Sequence, residues 1–187
     1  MARPLRVEYE GVVYHVTARG NARERIFRDD VDSTRFLDHL AEAAERYAEE
    51  VSSTFHLEVV VVDTPREAVS GCDLVVTAGP ILKKPHQTIQ AGWLDQGAFA
   101  SLVDFDSYWH PQALAAADKF CTDDTAQYDH YRQAGFFQQA PALHADLGEV
   151  VAGLKPGRES ADEITLFKSV GLAVQDATSA AKVYELA

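Results

Sequence analysis

Short runs of β-branched and aromatic residues, each followed by a polar stretch with turn or helix-start chemistry, recur along this chain. VVYHVT, residues 12–17, predicts a strand closed by Gly20 and Asn21. FRDDVDS then offers acceptors for a helix start, with Asp32 or Ser33 as the expected N-cap. Phe36, Leu40, Ala43, Ala44, Tyr47 and Val51 recur at helical spacing, so residues 34–52 read as a helix with one apolar face.

LEVVVVD, residues 57–63, is a continuous apolar run, the pattern of a strand covered on both faces. In the next stretch Thr64 caps a short helix, Pro65 takes its first position, Glu67 completes a capping box and Gly71 stops it. CDLVVTAGP reads as a second buried strand, GAFASLVDFD as a third and ADKFCTDD as a short fourth. TAQYDHYRQAG predicts a helix ended by Gly135, and LAVQDATSAAKVYELA a closing amphipathic helix. Strand, short helix, strand, loop, strand is the rhythm of a parallel sheet with crossover connections, an α/β fold.

Composition narrows the class. The 187 residues are 47% hydrophobic and 25% charged, which is globular, and the net charge of −12 argues against a phosphate-backbone partner. Two cysteines, Cys72 and Cys121, without a C-x-x-C pair fit a reducing compartment. The longest strongly apolar run, Val59–Val62, is too short for a bilayer, and Arg3, Arg6, Glu8 and Glu10 interrupt any leader, so the expected location is cytoplasmic. Basic residues before Tyr47 are all arginine and every lysine comes later, which hints at two segments.

Ligands of open parallel sheets sit beyond the carboxyl ends of the strands. Three such ends carry candidate chemistry: Thr77-Ala78-Gly79-Pro80, Asp104-Phe105-Asp106 and Asp123-Asp124. A carboxylate there could transfer a proton or hold an ammonium group. Helix capping or loop solvation is the favoured reading for Asp123 and Asp124, whereas Asp106 divides evenly between the two. Asp104, Asp106, His110 and Asp123 lack a repeated metal-ligand spacing, and a coincidental acidic loop is the better account of them. Tyr128, Tyr131, Phe136 and Phe137 read as core or interface rather than a stacking platform. No G-x-G-x-x-G occurs in the chain, so the usual cradle for a pyrophosphate is absent from it.

CDLVVTAGP, GAFASLVDFD and, most specifically, DEITLFKSVGLAVQD make residues from about Tyr47 onward resemble the ornithine cyclodeaminase/mu-crystallin family. The resemblance implies a Rossmann-type NAD- or NADP-binding domain for residues 48–187, here an incomplete parallel sheet with a C-terminal helical segment. It implies NAD(P)-dependent chemistry on an amino acid or imine. The run from Gly97 through Val103 to Asp106 is similar to the family's strand before the catalytic aspartate, which makes Asp106 the implied acid/base. Thr77, Ala78, Val103, Asp104, Phe105, His110 and Ser169 are implied cofactor contacts, and Val170 an implied substrate contact. DFDSYW departs from the family's small residues and is similar to accessory subunits of an amine oxidase. That leaves a non-catalytic subunit as the alternative to an enzyme, with a homo-oligomer or a partner subunit expected.

Residues 1–47 resemble the start of a REP-associated tyrosine transposase, a short strand-helix piece. Those enzymes use a His-hydrophobic-His metal pair, and no His-x-His occurs here, so nuclease activity is not expected. A DNA-contacting remnant would rely on Arg19, Arg23, Arg25 and Arg28. The combined expectation is a truncated family member fused to a transposase-like fragment, its catalysis impaired by the missing phosphate loop.

Overall fold

The computed structural model describes residues 30–78, 82 and 85–186; the VVYHVT strand and the four arginines of the DNA reading lie outside them. Helix α1 spans Asp30–Phe55. It starts ahead of the expected caps, so Asp32 and Ser33 lie inside its first turns rather than before them. Helix α2, Pro65–Val69, has the expected capping box, with Thr64 accepting from Glu67 N while Glu67 accepts from Thr64 N. The positive φ of Gly71 (82°) ends that turn where an L side chain would be strained.

Four tetrapeptides form most of the sheet: β1 Leu74–Thr77, β2 Phe99–Leu102, β3 Lys119–Thr122 and β5 Thr165–Lys168. The two-residue β4, Ala145–Asp146, adds a fifth strand. Every pairing is parallel and the order is β1-β2-β5-β3-β4, so the last strand in sequence inserts at the centre. Helices α3 (Pro111–Ala115), α4 (Thr125–Gln133) and α5 (Leu147–Val151) fill the connections, and α6 (Ala173–Leu186) closes the described chain.

Register explains the core. Val75, Ala100, Leu166 and Phe120 lie side by side across four strands and are all buried. Because side chains alternate along a strand, the next row on the same face is Thr77, Leu102, Lys168 and Thr122. Leu102, Lys168 and Thr122 are also buried, which places a lysine on the core face. Tyr128 of α4 and Phe137 pack against this face, their rings stacked at 4.9 Å. The opposite row, Val76, Ser101, Phe167 and Cys121, is only partly buried.

LEVVVVD is not a strand. Residues 57–63 have no ladder partner, β1 is the edge of the sheet among the described residues, and Val60 is 69% exposed. Apolar composition raises strand propensity, but a strand exists only where a neighbour takes up its backbone donors and acceptors. The final helix forms as expected, yet it buries none of its residues.

Two local constraints follow from the packing. Gly97, at the foot of β2, has φ +84° and a Cβ built there would meet Ala161 O at 2.5 Å. The glycine that opens the Gly97–Asp106 run is therefore a steric requirement of the fold. Tyr128 is fully buried and its hydroxyl has no hydrogen-bond partner among the described residues. Burial pushes its phenol up to about 12. Deleting that hydroxyl removes an uncompensated polar group, so Tyr128→Phe is expected to stabilise the fold by about 1 kcal/mol in urea unfolding. A loss of stability would show that the hydroxyl has a partner after all.

Candidate active site at the carboxyl ends of the strands

Strands β1, β2, β5 and β3 end side by side, and their carboxyl ends bring most of the implied site residues together. The Val103 amide donates to Thr77 O at 2.8 Å and the Ser169 amide to Leu102 O at 3.2 Å, stitching three strand ends into one rim. Ala78 and Val103 are exposed on that rim, Val103 at 52%.

Asp104 faces inward and is fully buried. Its carboxylate accepts from Thr77 Oγ1 at 2.6 Å and from the Tyr108 amide at 3.2 Å. Thr77 Oγ1 in turn accepts from Trp109 Nε1 at 2.9 Å. Thr77 and Asp104 thus form a buried clamp between β1 and the loop after β2. Any ligand meets the backbone of Asp104 rather than its carboxylate.

Phe105 has φ +59°, a left-handed conformation that is costly for a bulky side chain. Its ring sits 4.7 Å from Phe137, 4.9 Å from Tyr131 and 5.0 Å from Phe136. These aromatics are core, as their sequence pattern suggested. The bulk of the DFDSYW stretch also goes inward, since Phe105, Tyr108 and Trp109 are each no more than 9% exposed.

The left-handed turn delivers Asp106 to the edge of a narrow crevice lined by Leu102, Phe105, Trp109, Phe137 and Lys168. Asp106 is partly buried, and its Oδ2 accepts from the Phe137 amide at 2.9 Å. Burial raises its pKa above the ordinary carboxylate value, against the opposing pull of the Phe137 amide and Lys168. A carboxyl group with that shift can exchange a proton with a reacting group nearer neutral pH than a solvated aspartate can.

His110 occupies a different position. It is the N-cap of α3, its Nδ1 accepting from the Gln112 amide at 3.2 Å. One ring nitrogen is therefore committed to the helix. Among the described residues no group of three or more His, Cys, Asp or Glu is placed to hold a metal ion.

Two residues that sequence reasoning undervalued complete the arrangement. Asp124 is the N-cap of α4, accepting from the Gln127 amide at 2.6 Å, as the capping reading expects. Asp123 is not a solvated loop residue: it is 6% exposed and organises the loop after β5. It accepts from Ser169 Oγ at 3.2 Å, from the Val170 amide at 3.0 Å and from the Gly171 amide at 2.8 Å. The neighbouring Thr122 Oγ1, 3.2 Å from this carboxylate, donates instead to Lys168 O at 2.9 Å. Lys168, the second, lies on the core face with 3% exposure. The signal for it was present as a lysine two positions after Leu166 in TLFK, had that run been read as a strand.

Known proteins are similar to this chain in sequence and in fold. The model of the ornithine cyclodeaminase/mu-crystallin family matches residues 18–187. The alanine dehydrogenase of Archaeoglobus fulgidus is 32% identical over 172 residues, which cover 88% of this chain and 51% of the relative. N-((2S)-2-amino-2-carboxyethyl)-L-glutamate dehydrogenase of Staphylococcus aureus is 30% identical over 167 residues, covering 85% of this chain and 48% of the relative. The chain thus spans about half the length of the curated relatives it matches. The structure of Thermococcus litoralis Delta(1)-pyrroline-2-carboxylate reductase, in complex with NADH and L-proline, superposes with a TM-score of 0.61 at 30% identity, over 77% of this chain and 46% of that one. No described helix is long and apolar enough to cross a membrane. With a parallel α/β sheet and a family match over most of its length, this chain belongs to the ornithine cyclodeaminase/mu-crystallin family.

Proposed function

We propose that these strand ends form the nicotinamide-facing part of an NAD(P)-dependent oxidoreductase site for an amino acid or its imine, with Asp106 as the proton carrier. The observation that carries this reading is the Asp106 carboxyl group itself. It stands at a strand end, fixed by the Phe137 amide, with burial raising its pKa. Relatives of this chain include dehydrogenases and reductases of amino acids and cyclic imines.

The strand ends fit the nicotinamide end of a dinucleotide: Ala78 and Val103 offer an exposed, small and apolar rim beside Asp106. When bound, the dinucleotide supplies or takes up a hydride. Asp106 gives a proton to the substrate nitrogen in the reducing direction and takes one back in the other. Asp123 shapes the Ser169–Gly171 loop and keeps the Ser169 hydroxyl turned toward itself. The pyrophosphate end has no counterpart in this sequence, which holds no G-x-G-x-x-G.

A second reading rests on a separate observation. Helix α6 shows Val174, Val183, Tyr184 and Leu186 to solvent, each at least 63% exposed. A helix of this kind, without a packing partner among the described residues, suits a subunit that docks on another chain or on a second copy, with or without catalysis.

Titration with NADH and NADPH, following nicotinamide fluorescence and thermal unfolding together, separates the two. The enzyme reading expects saturable binding, a rise in melting temperature and slow reduction of Delta(1)-pyrroline-2-carboxylate. A cooperative melt with no cofactor response at millimolar concentration would leave only the subunit reading.

A further inference from the structure

Lys168 is a lysine in the middle of a sheet. The register sets it beside Leu102 on one side and Thr122 on the other, on the same face as the buried Leu166. A charge in that position needs partners, because desolvation of an ammonium group is costly. Its partners converge on one feature, the turn after β2. The Lys168 Nζ donates to Phe105 O and, at 3.4 Å, to Leu102 O. It lies 4.0 Å from Asp104 Oδ1 and 5.7 Å above the centre of the Phe137 ring.

These contacts bracket Asp106. Phe105, immediately before it, is left-handed at φ +59°, and so is Phe137 at φ +54°, whose amide holds the Asp106 carboxylate. Both are conformations that bulky residues rarely keep without external support. The two rings touch at 4.7 Å, and the Lys168 ammonium meets the carbonyl of one residue and the ring of the other. Removing it would free both ends of the clasp that aims Asp106.

We propose that Lys168 is the positioning residue for Asp106, a buried cation that locks the paired left-handed turns at Phe105 and Phe137 and acts electrostatically on the carboxylate between them. The proposal deepens the reading of Asp106 as a proton carrier and rests on it for its functional meaning. The charges facing Lys168 are Asp104 and Asp106 from the loop after β2 and Asp123 from the end of β3. Burial lowers its pKa to about 8 despite those three carboxylates, so it loses its proton within an accessible range. The Lys168 charge in turn lowers the Asp106 pKa, opposing desolvation there.

The test is the side-chain carboxyl carbon of Asp106, followed by NMR against pH in the full chain and assigned with Asp106→Asn. In the wild-type protein the main step is expected to be followed by a smaller inflection near 8, as Lys168 is neutralised. In Lys168→Met the upper inflection should vanish and the main step move to higher pH. A folded variant whose step stays in place or moves lower overturns the proposal. If the variant does not fold, the wild-type curve decides alone, and the lack of an upper inflection overturns it. The measurement needs neither cofactor nor turnover. A chain that shows the coupling but reduces no imine would defeat the proposed function and leave the Lys168 role intact.

Discussion

Asp106→Asn is expected to lower the rate of imine reduction roughly 100- to 10,000-fold, the range associated with loss of a positioned acid or base. The substitution preserves shape. Asparagine Oδ1 can still accept from the Phe137 amide, so the turn at Phe105 and the thermal unfolding curve should change little. Cofactor binding should survive as well, because the amide leaves the Val103 rim untouched. The proton chemistry alone is removed.

The pH dependence of the wild-type protein carries the same signature. Desolvation raises the Asp106 pKa, so its acid form persists to higher pH than in a solvated aspartate. Reduction needs that acid form and should decline as pH rises through the folded value. Oxidation needs the carboxylate and should rise over the same window. An Asp106→Asn variant that keeps its turnover within a few-fold of wild type, with an unchanged profile, would remove Asp106 from the mechanism.

Asp123→Ala is expected to destabilise the fold by roughly 2–4 kcal/mol, since hydrogen bonds to a charged acceptor and newly orphaned donors are both costly. The substitution strands the Val170 and Gly171 amides together with the Ser169 hydroxyl. The effect should be largest at the loop after β5, so any cofactor response should weaken more than global stability alone accounts for. Asp123→Asn, which keeps one carbonyl oxygen, should fall between the two. Urea unfolding provides the check. A cost below about 1 kcal/mol would mean that water replaces the carboxylate and that the loop does not depend on it.

Some of this molecule was legible from local chemistry. Thr64, Pro65 and Glu67 satisfy a helix start among themselves, so α2 needed no distant information. The same holds for α4, where Asp124 caps and the αL glycine, Gly135, ends the turn. Asp106 is singled out by a different signal: the spacing from Gly97 resembles a family pattern, and Gly97 itself answers to the close approach of Ala161 O.

LEVVVVD failed because a ladder is a property of two segments. The run has the composition of a strand and no neighbour among the described residues. The TLFK run, with a lysine in its short pattern, instead became the central strand, because β2 and β3 lie on either side of it. Asp123 and Lys168 were undervalued by the same logic. Their partners lie 45 or more positions away, at Ser169 to Gly171 and at Leu102 and Phe105.

By itself the sequence determined the α/β class, the short capped helices and the family. These are encoded in contiguous residues, where periodicity, capping and motif spacing act over a few positions. Only the tertiary structure decided which apolar runs became strands, that β5 is central, and that Asp104 faces inward while Asp106 meets the crevice. It also decided that a lysine would stand on the core face beneath them. Those outcomes depend on strand register and on burial, and both arise only when distant segments are brought together.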